Sequence, residues 1–419
     1  MLIGVMIIGI VLLVLVVIQS AIVVAYWLQL RQPRPTVDSS TLPKAAVILS
    51  LRGADPYLHR TLSALLAQDY PDYAVFLVVD HPDDPAWKYV NQFIEENPGA
   101  RIVATPLESP SPNCGLKCSA LMQAVDVLDD SYQVAAFTDA DVIPHPLWLR
   151  DLVIPLEDSR VGVSTGNRWF VPAQGDWGSL FRYVWNIGAV VQVWYNKIVW
   201  GGSMAMRLDV LRDAQILPAW SRSLADDSVV SSQMKEHGYR IAFVPQAMML
   251  NEEQIRFGSF YGWVQRQLVI AKSCDSQWAL IPIHAFNLAA FQLLGAFSVW
   301  GSWRLQNDAV MWFCAVSWLS YWVSTLGTVV LLENTIRNIS YRNQGKSISS
   351  GWRSRIRVFP AVLATHLVYP WALASAMWRR RIVWRGIEYD IDGQGNVAMT
   401  SYRPYEETLD NVDATGSLT

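Results

Sequence analysis

Charge is scarce in this 419-residue chain: Asp, Glu, Lys and Arg together make 16% of it, and the formal net charge is −3. That balance leaves no basic face for a nucleic acid. Cysteine is scarce too. The four present, Cys114, Cys118, Cys274 and Cys314, do not form a disulfide framework, and Cys114 with Cys118 lacks the second Cys/His pair that a zinc site needs, so reduced cytoplasmic thiols are expected. No Gly-x-Gly-x-x-Gly follows a strand-like run and no Gly-Lys-Ser/Thr closes a phosphate loop, which removes support from a dehydrogenase or a P-loop nucleotidase. There is no internal repeat or low-complexity tract, apart from a polar tail after about Tyr405 that is expected to be disordered.

What the chain has in quantity is apolar surface, 52% hydrophobic residues with 20 Trp. Leu2 to Leu28 is nearly free of charge. About 20 apolar residues cross a hydrocarbon core, and a signal peptide has a shorter apolar core behind a basic start, so an anchoring helix over 1–30 is expected. Arg31 and Arg34 at its polar end place that end in the cytoplasm. Two more spans, Ile281–Trp303 and Ala309–Leu332, are joined by Arg304-Leu305-Gln306-Asn307-Asp308 and read as a transmembrane hairpin over 281–332. A basic cytoplasmic loop over 333–358 follows, with Arg337, Arg342, Lys346, Arg353, Arg355 and Arg357. The apolar stretch Phe359–Trp378 contains Pro360, His366 and Pro370 and runs into Arg379-Arg380-Arg381. It is read as re-entrant or interfacial, because spanning would carry those arginines outside. A polar tail is expected over 379–419.

Between the anchor and the hairpin, 44–252 alternates short aliphatic runs with amphipathic stretches, the pattern of an α/β domain. Val47–Leu51, Ala74–Val79, Arg101–Ala104 and Val134–Phe137 read as strands, with helices over Tyr57–Ala67, Lys88–Asn97 and Cys118–Leu128. Open parallel sheets bind ligands beyond the carboxyl ends of their strands, where Asp80 and Asp139 fall. Asp139 and Asp141 stand at i and i+2 on an extended segment, so they face the same side and can hold one hard divalent cation bridging a nucleotide diphosphate. An acidic turn capping a strand would also look like this. Gly201-Gly202, within Trp200-Gly201-Gly202-Ser203-Met204, puts two glycines where backbone approaches something closely, or marks an ordinary turn. Asp226 and Asp227 open an amphipathic helix, Val229–His237. One of them caps it, or serves as the general base that takes a proton from an attacking hydroxyl.

Taken together, the motifs resemble the membrane-bound family 2-type glycosyltransferases and, within them, the ceramide glucosyltransferases. The likeness covers about Leu49 to Lys272. It rests on Leu51-Arg52-Gly53-Ala54-Asp55-Pro56, Asp69-Tyr70-Pro71-Asp72-Tyr73, Val79-Asp80-His81-Pro82-Asp83-Asp84-Pro85-Ala86, Lys117 with Ala120-Leu121-Met122, Asp139, Gly202-Ser203-Met204 with Met206-Arg207-Leu208-Asp209-Val210-Leu211, and Leu224-Ala225-Asp226-Asp227. The resemblance implies a cytoplasmic GT-A-type (Rossmann-like) nucleotide-sugar domain between transmembrane ends. It implies that Asp80 holds the nucleoside, that Asp139 and Asp141 hold Mg or Mn on the diphosphate, that Lys117 adds positive charge there, that Gly202 lies at the donor, and that Asp227 is the catalytic base. The chain departs from the family where Gln/Arg-x-x-Arg-Trp is usual: Arg266-Gln267-Leu268-Val269-Ile270 keeps a donor-side Arg266 but has neither the arginine nor the tryptophan. Arg256, Lys272 or the metal would have to compensate.

The function expected is an inverting transferase that moves a sugar, most simply glucose, from a UDP-sugar to a hydroxyl of a membrane lipid. An apolar approach would come from Trp177, Phe181, Tyr183, Trp185, Trp194, Tyr195 and Trp200, with Phe257, Phe260, Tyr261 and Trp263 on an interfacial amphipathic segment over 253–280. A polysaccharide synthase is the alternative enzyme, for which three clear spans are few. A catalytically silent sugar-nucleotide-binding scaffold is the alternative outside enzymes; the missing Arg-Trp pair favours it, and intact Asp139, Asp141 and Asp227 oppose it.

Overall fold

The inner strands of the central sheet are short, largely apolar runs buried on both sides, as a sheet covered on two faces requires, and only its two edge strands are partly open. The computed structural model describes residues 2–35, 37–38, 41–172, 175–274, 278, 280–345, 352–392 and 395–405. Its domain begins with β1 (Ala45–Leu51), α2 (Leu58–Leu66; α1, Leu2–Leu30, precedes it), β2 (Tyr73–Val79), α3 (Ala86–Glu96), β3 (Ile102–Pro106), α4 (Leu116–Asp126) and β4 (Val134–Thr138). It continues with α5 (Trp148–Val153), β5 (Val161–Thr165), β6 (Arg168–Phe170), α6 (Trp177–Tyr195), β7 (Ser203–Arg207), α7 (Leu208–Asp213), α8 (Ile216–Trp220), α9 (Asp226–Glu236), β8 (Arg240–Phe243) and β9 (Met249–Asn251).

Seven strands form one sheet in the order β3-β2-β1-β4-β7-β5-β8. All run parallel except β7, which is antiparallel to β4 and β5. Side chains alternate between two cores, as period-2 geometry demands: Val47, Leu49 and Leu51 pack with Leu58, Leu62, Val90 and Trp148 on one face, Ala46 and Ile48 with Leu121, Met204 and Trp220 on the other. Register places the chemistry. Leu51 pairs with Val79 and Leu49 with Thr138, so the residues that follow, Arg52, Asp80 and Asp139, emerge at one edge. Thr138 pairs with Ser203 across the antiparallel join, which brings Gly202 beside Asp139.

After α10 (Phe257–Cys274) come α11 (Leu280–Arg304), α12 (Asp308–Gln344) and α13 (Trp352–Trp378). Among the described residues four helices, α1, α11, α12 and α13, are long and apolar enough to cross a membrane. The expected turn at 304–308 is present, with the Asn307 side chain accepting from Val310 N at 3.1 Å to cap α12. The expected loop from 333 begins as helix, because α12 continues to a left-handed Gly345. Lys346 and the side chains of Cys274, Arg353 and Arg355 lie outside the described residues. The stretch expected to be re-entrant is one continuous helix of 27 residues carrying Pro360 and Pro370 inside it.

The polar tail expected from 379 is instead folded as far as 401. Strands β10 (Arg381–Trp384), β11 (Ile387–Ile391) and β12 (Val397–Ser401) form an antiparallel sheet. Its alternation of Ile382, Ile387, Tyr389, Ile391 and Val397 inward against α4 and α10 is too short a signal to stand out among the surrounding charges. The expected disorder after Tyr405 falls outside the described residues.

Candidate active site

A cavity of about 1630 Å³ runs from the sheet edge into the bundle of apolar helices. It is larger than the roughly 300–1,000 Å³ of a single small-molecule pocket. All the expected site residues, Asp80, Lys117, Asp139, Asp141, Gly202, Asp227 and Arg266, line it.

Lys117 stands in the first turn of α4 and joins two carboxylates, Asp139 Oδ1 at 2.7 Å and Asp226 Oδ2 at 3.1 Å. Burial alone would lower its ammonium, but Asp139 and Asp226 hold it above its ordinary value. Burial pushes Asp139 up, and Lys117 and Arg168 outweigh it, so the carboxyl ends below the usual range. Burial raises Asp226, with Lys117 opposing and the charges of Asp227 and Asp139 adding to the rise. Lys117 is thus the ion partner that Asp226 shares with Asp139. Asp227, more open than Asp226, accepts from Ser228 N at 2.7 Å and Gly201 N at 3.2 Å in the first turn of α9. Those two donors aim a carboxylate from a helix N-terminus into the cavity.

Gly201 and Gly202 have a steric reason to be glycine. A Cβ on Gly201 would strike the Asp226 carboxylate, and one on Gly202 would strike Asp139 Oδ2 and the Trp200 ring. The two glycines thus make the cradle in which the acidic groups sit.

Asp139 and Asp141 lie just past the end of β4, in the turn that follows it. Asp141 Oδ2 accepts from Arg168 Nη1 at 3.0 Å and from Asn251 Nδ2 at 3.3 Å. Among the described residues no three Asp, Glu, His or Cys side chains gather closely enough to enclose a metal. Two carboxylates on one wall still fit a cation of the kind that takes one or two protein oxygens and completes its shell with phosphate and water.

Asp80 is buried and pairs with Arg52, with the Tyr402 hydroxyl donating to its Oδ1 at 3.1 Å. Burial raises its carboxyl and Arg52 partly offsets that. Arg266, on α10, lies 5.9 Å from the Trp384 ring and has no ion pair or hydrogen bond among the described residues. Burial, with Arg385 and Arg168 nearby, lowers its guanidinium to about 10, so it stays charged at neutral pH.

Several charged side chains of the cavity escaped the sequence reading. Arg168 pairs with Asp141 while lying over Phe170 and Trp200, at 4.9 and 5.3 Å. Glu253 binds Arg182 at 2.6 Å on the same wall. Arg385 reaches Asp55 Oδ2 at 2.8 Å. No motif spacing marks them, because each meets the acidic cluster only through tertiary packing. The aromatic residues divide. Trp185, Trp200 and Trp263 line the cavity, with Trp185 and Trp263 edge to face at 5.1 Å. Phe181 and Phe260 stack in the core at 5.9 Å, Tyr183 donates to Glu333 Oε2 at 2.8 Å, and Trp194 packs on Tyr26. Of the compensating cations expected, Arg256 is exposed outside the cavity, and Lys272 donates to the carbonyls of Met377 and Arg379, each at 2.9 Å, closing the end of α13.

The family model of glycosyl transferase family 21 matches residues 5–397. Among curated proteins, the probable glycosyltransferase YdaM of Bacillus subtilis (strain 168) is 25% identical over 236 residues, 53% of each chain, so the chain spans about half the length of that relative. Among solved structures, the mannosyltransferase PcManGT from Pyrobaculum calidifontis, in complex with GDP-Man and Mn²⁺, is 15% identical with a TM-score of 0.45, covering 88% of this chain and 98% of that one. Glucosyl-3-phosphoglycerate synthase from Mycobacterium tuberculosis, with Mn²⁺, UDP and glucosyl-3-phosphoglycerate, is 14% identical with a TM-score of 0.40, covering 58% and 86%. The family match spans nearly the whole chain: this protein belongs to glycosyl transferase family 21.

Proposed function

We propose that this member of glycosyl transferase family 21 moves a hexose, most simply glucose, from a UDP-sugar to the hydroxyl of a membrane lipid of the ceramide type, by single displacement with inversion. The observation that carries the reading is the continuity of one cavity, lined at one end by Asp80, Asp139, Asp141 and Asp227 and at the other by Ile18 of α1, Phe291 of α11, Tyr321 of α12 and His366 of α13. A lipid can then present its hydroxyl at the sheet edge while its tails stay among apolar helices.

In this reading Asp80 and the β1–β2 edge receive the nucleoside. Lys117, Arg168 and Arg266 face the diphosphate. Mg or Mn, held by Asp139 and Asp141, would neutralise charge on the departing diphosphate. Asp227 accepts the proton of the acceptor hydroxyl as its oxygen bonds to the anomeric carbon; the bond from that carbon to the diphosphate oxygen breaks, and the electron pair leaves on UDP. Lys117 keeps Asp226 engaged, so Asp227 is the carboxylate left to take the proton. A catalytic face toward the cytoplasm agrees with Arg31, Arg34, Arg337 and Arg342 near the domain-side ends of α1 and α12. Arg34 ties those ends to the domain, bonding Asn343 at 2.8 Å and Asp151 at 2.9 Å.

Purified full-length protein incubated with radiolabelled UDP-sugars and a panel of ceramide, diacylglycerol and isoprenoid lipids should yield label in the lipid extract. Label found only in free sugar, or in a polymer that does not extract with lipid, would sink the lipid acceptor.

A further inference from the structure

Val269 and Ile270, at the positions where the family's arginine and tryptophan are usual, are 1% and 8% exposed and packed in the core shared by α10, α13 and the C-terminal sheet. They reach the cavity only with apolar atoms, whereas Trp384 and Arg385 bring an aromatic ring and a guanidinium to the same wall. We propose that the tip of the C-terminal β10–β11 hairpin is part of the donor site: Arg385, with Arg266 beside it, binds the diphosphate, and the Trp384 ring orders the Arg266 guanidinium. This rests on the sugar-nucleotide reading above.

The turn itself points to a retained side chain. Arg385 and Gly386 have φ of 48° and 76° between the paired residues Trp384 and Ile387, a two-residue hairpin loop of the kind that favours Asn, Asp or Gly at its first position. An arginine held in left-handed backbone costs about 1 kcal/mol or more. Such a residue persists where its side chain is fixed by its surroundings, and here it is. Arg385 donates from Nη1 to the Arg52 carbonyl at 2.6 Å and from Nη2 to Asp55 at 2.8 Å, while Arg52 Nε donates back to the Arg385 carbonyl at 2.9 Å. These bonds use two of the five N–H donors of the Arg385 guanidinium. Arg266 uses none among the described residues. Two guanidiniums on one partly buried wall, with donors to spare, fit a doubly charged anion that can accept in two directions.

The hairpin is fixed to the catalytic domain. The Tyr389 hydroxyl accepts from Leu116 N at 3.1 Å, Met399 N donates to the Pro112 carbonyl at 2.7 Å, and Tyr402 reaches Asp80. Leu116 opens the helix whose next residue is Lys117, so the hairpin and the lysine share one support. On transfer, the Arg385 donors would meet the oxygen that receives the electron pair of the broken glycosyl bond, where charge grows and a fixed cation acts most.

The test is calorimetric titration of full-length protein in nanodiscs with UDP and with UMP, both with Mn²⁺, for wild type, Arg385→Gln and the double variant Asp55→Asn/Arg385→Gln. Loss of a charge-assisted contact to the second phosphate should weaken UDP by about 10- to 100-fold and leave UMP unchanged, and the double variant should show the same loss. The double variant carries no orphaned carboxylate, so it is read in place of Arg385→Gln if that protein does not fold. Equal losses for UDP and UMP, unchanged UDP affinity, or recovery of the UDP preference in the double variant would each reduce Arg385 to a structural partner of Asp55 and overturn the proposal. A wild type that binds neither nucleotide would instead remove the donor reading on which it rests.

Discussion

The acidic and basic walls of the cavity are built in opposite ways. Asp80 and Asp139 follow the carboxyl ends of β2 and β4, the parallel strands on either side of β1, Asp141 stands two residues on, and Asp226 and Asp227 open a helix at the same edge. The cations have no common origin. Lys117 comes from the first turn of α4, Arg168 from β6, Arg266 from α10 and Arg385 from the β10–β11 hairpin. A parallel sheet aligns its strand ends by hydrogen-bond register, so carboxylates placed there converge whatever the loops do. Lys117 and Arg168 meet the carboxylates from within the domain, whereas Arg266 and Arg385 reach them only when α10 and the C-terminal sheet dock against it. The acidic wall is thus set by local topology, and the Arg266 and Arg385 part of the basic wall by the docking of segments far along the chain.

The sharpest way to break this contrast is at the acid wall. Asp227→Asn should cut turnover by about 10²–10⁴-fold with UDP affinity little changed, measured by single-turnover transfer and by UDP titration. If Asp226→Asn lost turnover in that range while Asp227→Asn kept it, the roles of ion partner and base would be exchanged. Asp139→Ala and Asp141→Ala should each weaken Mn²⁺-dependent UDP binding by about 10–100-fold. Equal UDP affinity of the wild type with and without metal would remove the cation and leave neutralisation to the arginines.

Restoring the family pattern tests the other wall. Val269→Arg with Ile270→Trp places an unpaired charge and extra volume in a buried core, so it should destabilise by overpacking alone by about 1–3 kcal/mol, with a lower Tm and no gain in transfer. A stable, more active double variant would show that the hairpin does not stand in for the missing pair.

The Asp55–Arg385 pair gives a pH signature. Burial pushes the Asp55 carboxyl up to about 6, with Arg385 opposing. A carboxyl raised above its unfolded value of 3.8 contributes stability that is fully present below that value and is lost as pH rises through about 6. Between pH 5 and 7 wild type should lose about 1.4 kcal/mol through this group, and Asp55→Asn should not. Denaturant melts at the two pH values check this; a difference between the proteins that does not change with pH would refute it. Tyr389→Phe, which removes the acceptor for Leu116 N, should cost about 1 kcal/mol and weaken UDP binding more than UMP. An unchanged UDP-to-UMP ratio would mean that hairpin docking and donor affinity are independent.

The α/β domain, its strand ends and its carboxylates were legible because they rest on short-range signals: aliphatic runs of strand length, helical spacing in Leu58, Leu62 and Leu65, and paired aspartates directly after a strand. The apolar helices α1, α11 and α12 were legible from length and hydropathy alone, whereas α13, with Pro360 and Pro370 inside it, was not. The C-terminal sheet was not, since five inward residues among arginines and aspartates over 381–401 give too little periodicity to read. Val269 and Ile270 illustrate the same limit. As letters they were a gap in a motif; as side chains they are core.

By itself the sequence determined where the carboxylates would stand, since strand alternation and parallel register follow from local patterning. Only the tertiary structure decided which of them are already neutralised, which is left facing the cavity, and which cations face them. Burial and charge pairing depend on residues as far apart as Asp55 and Arg385, and those distances are set by packing rather than by order in the chain.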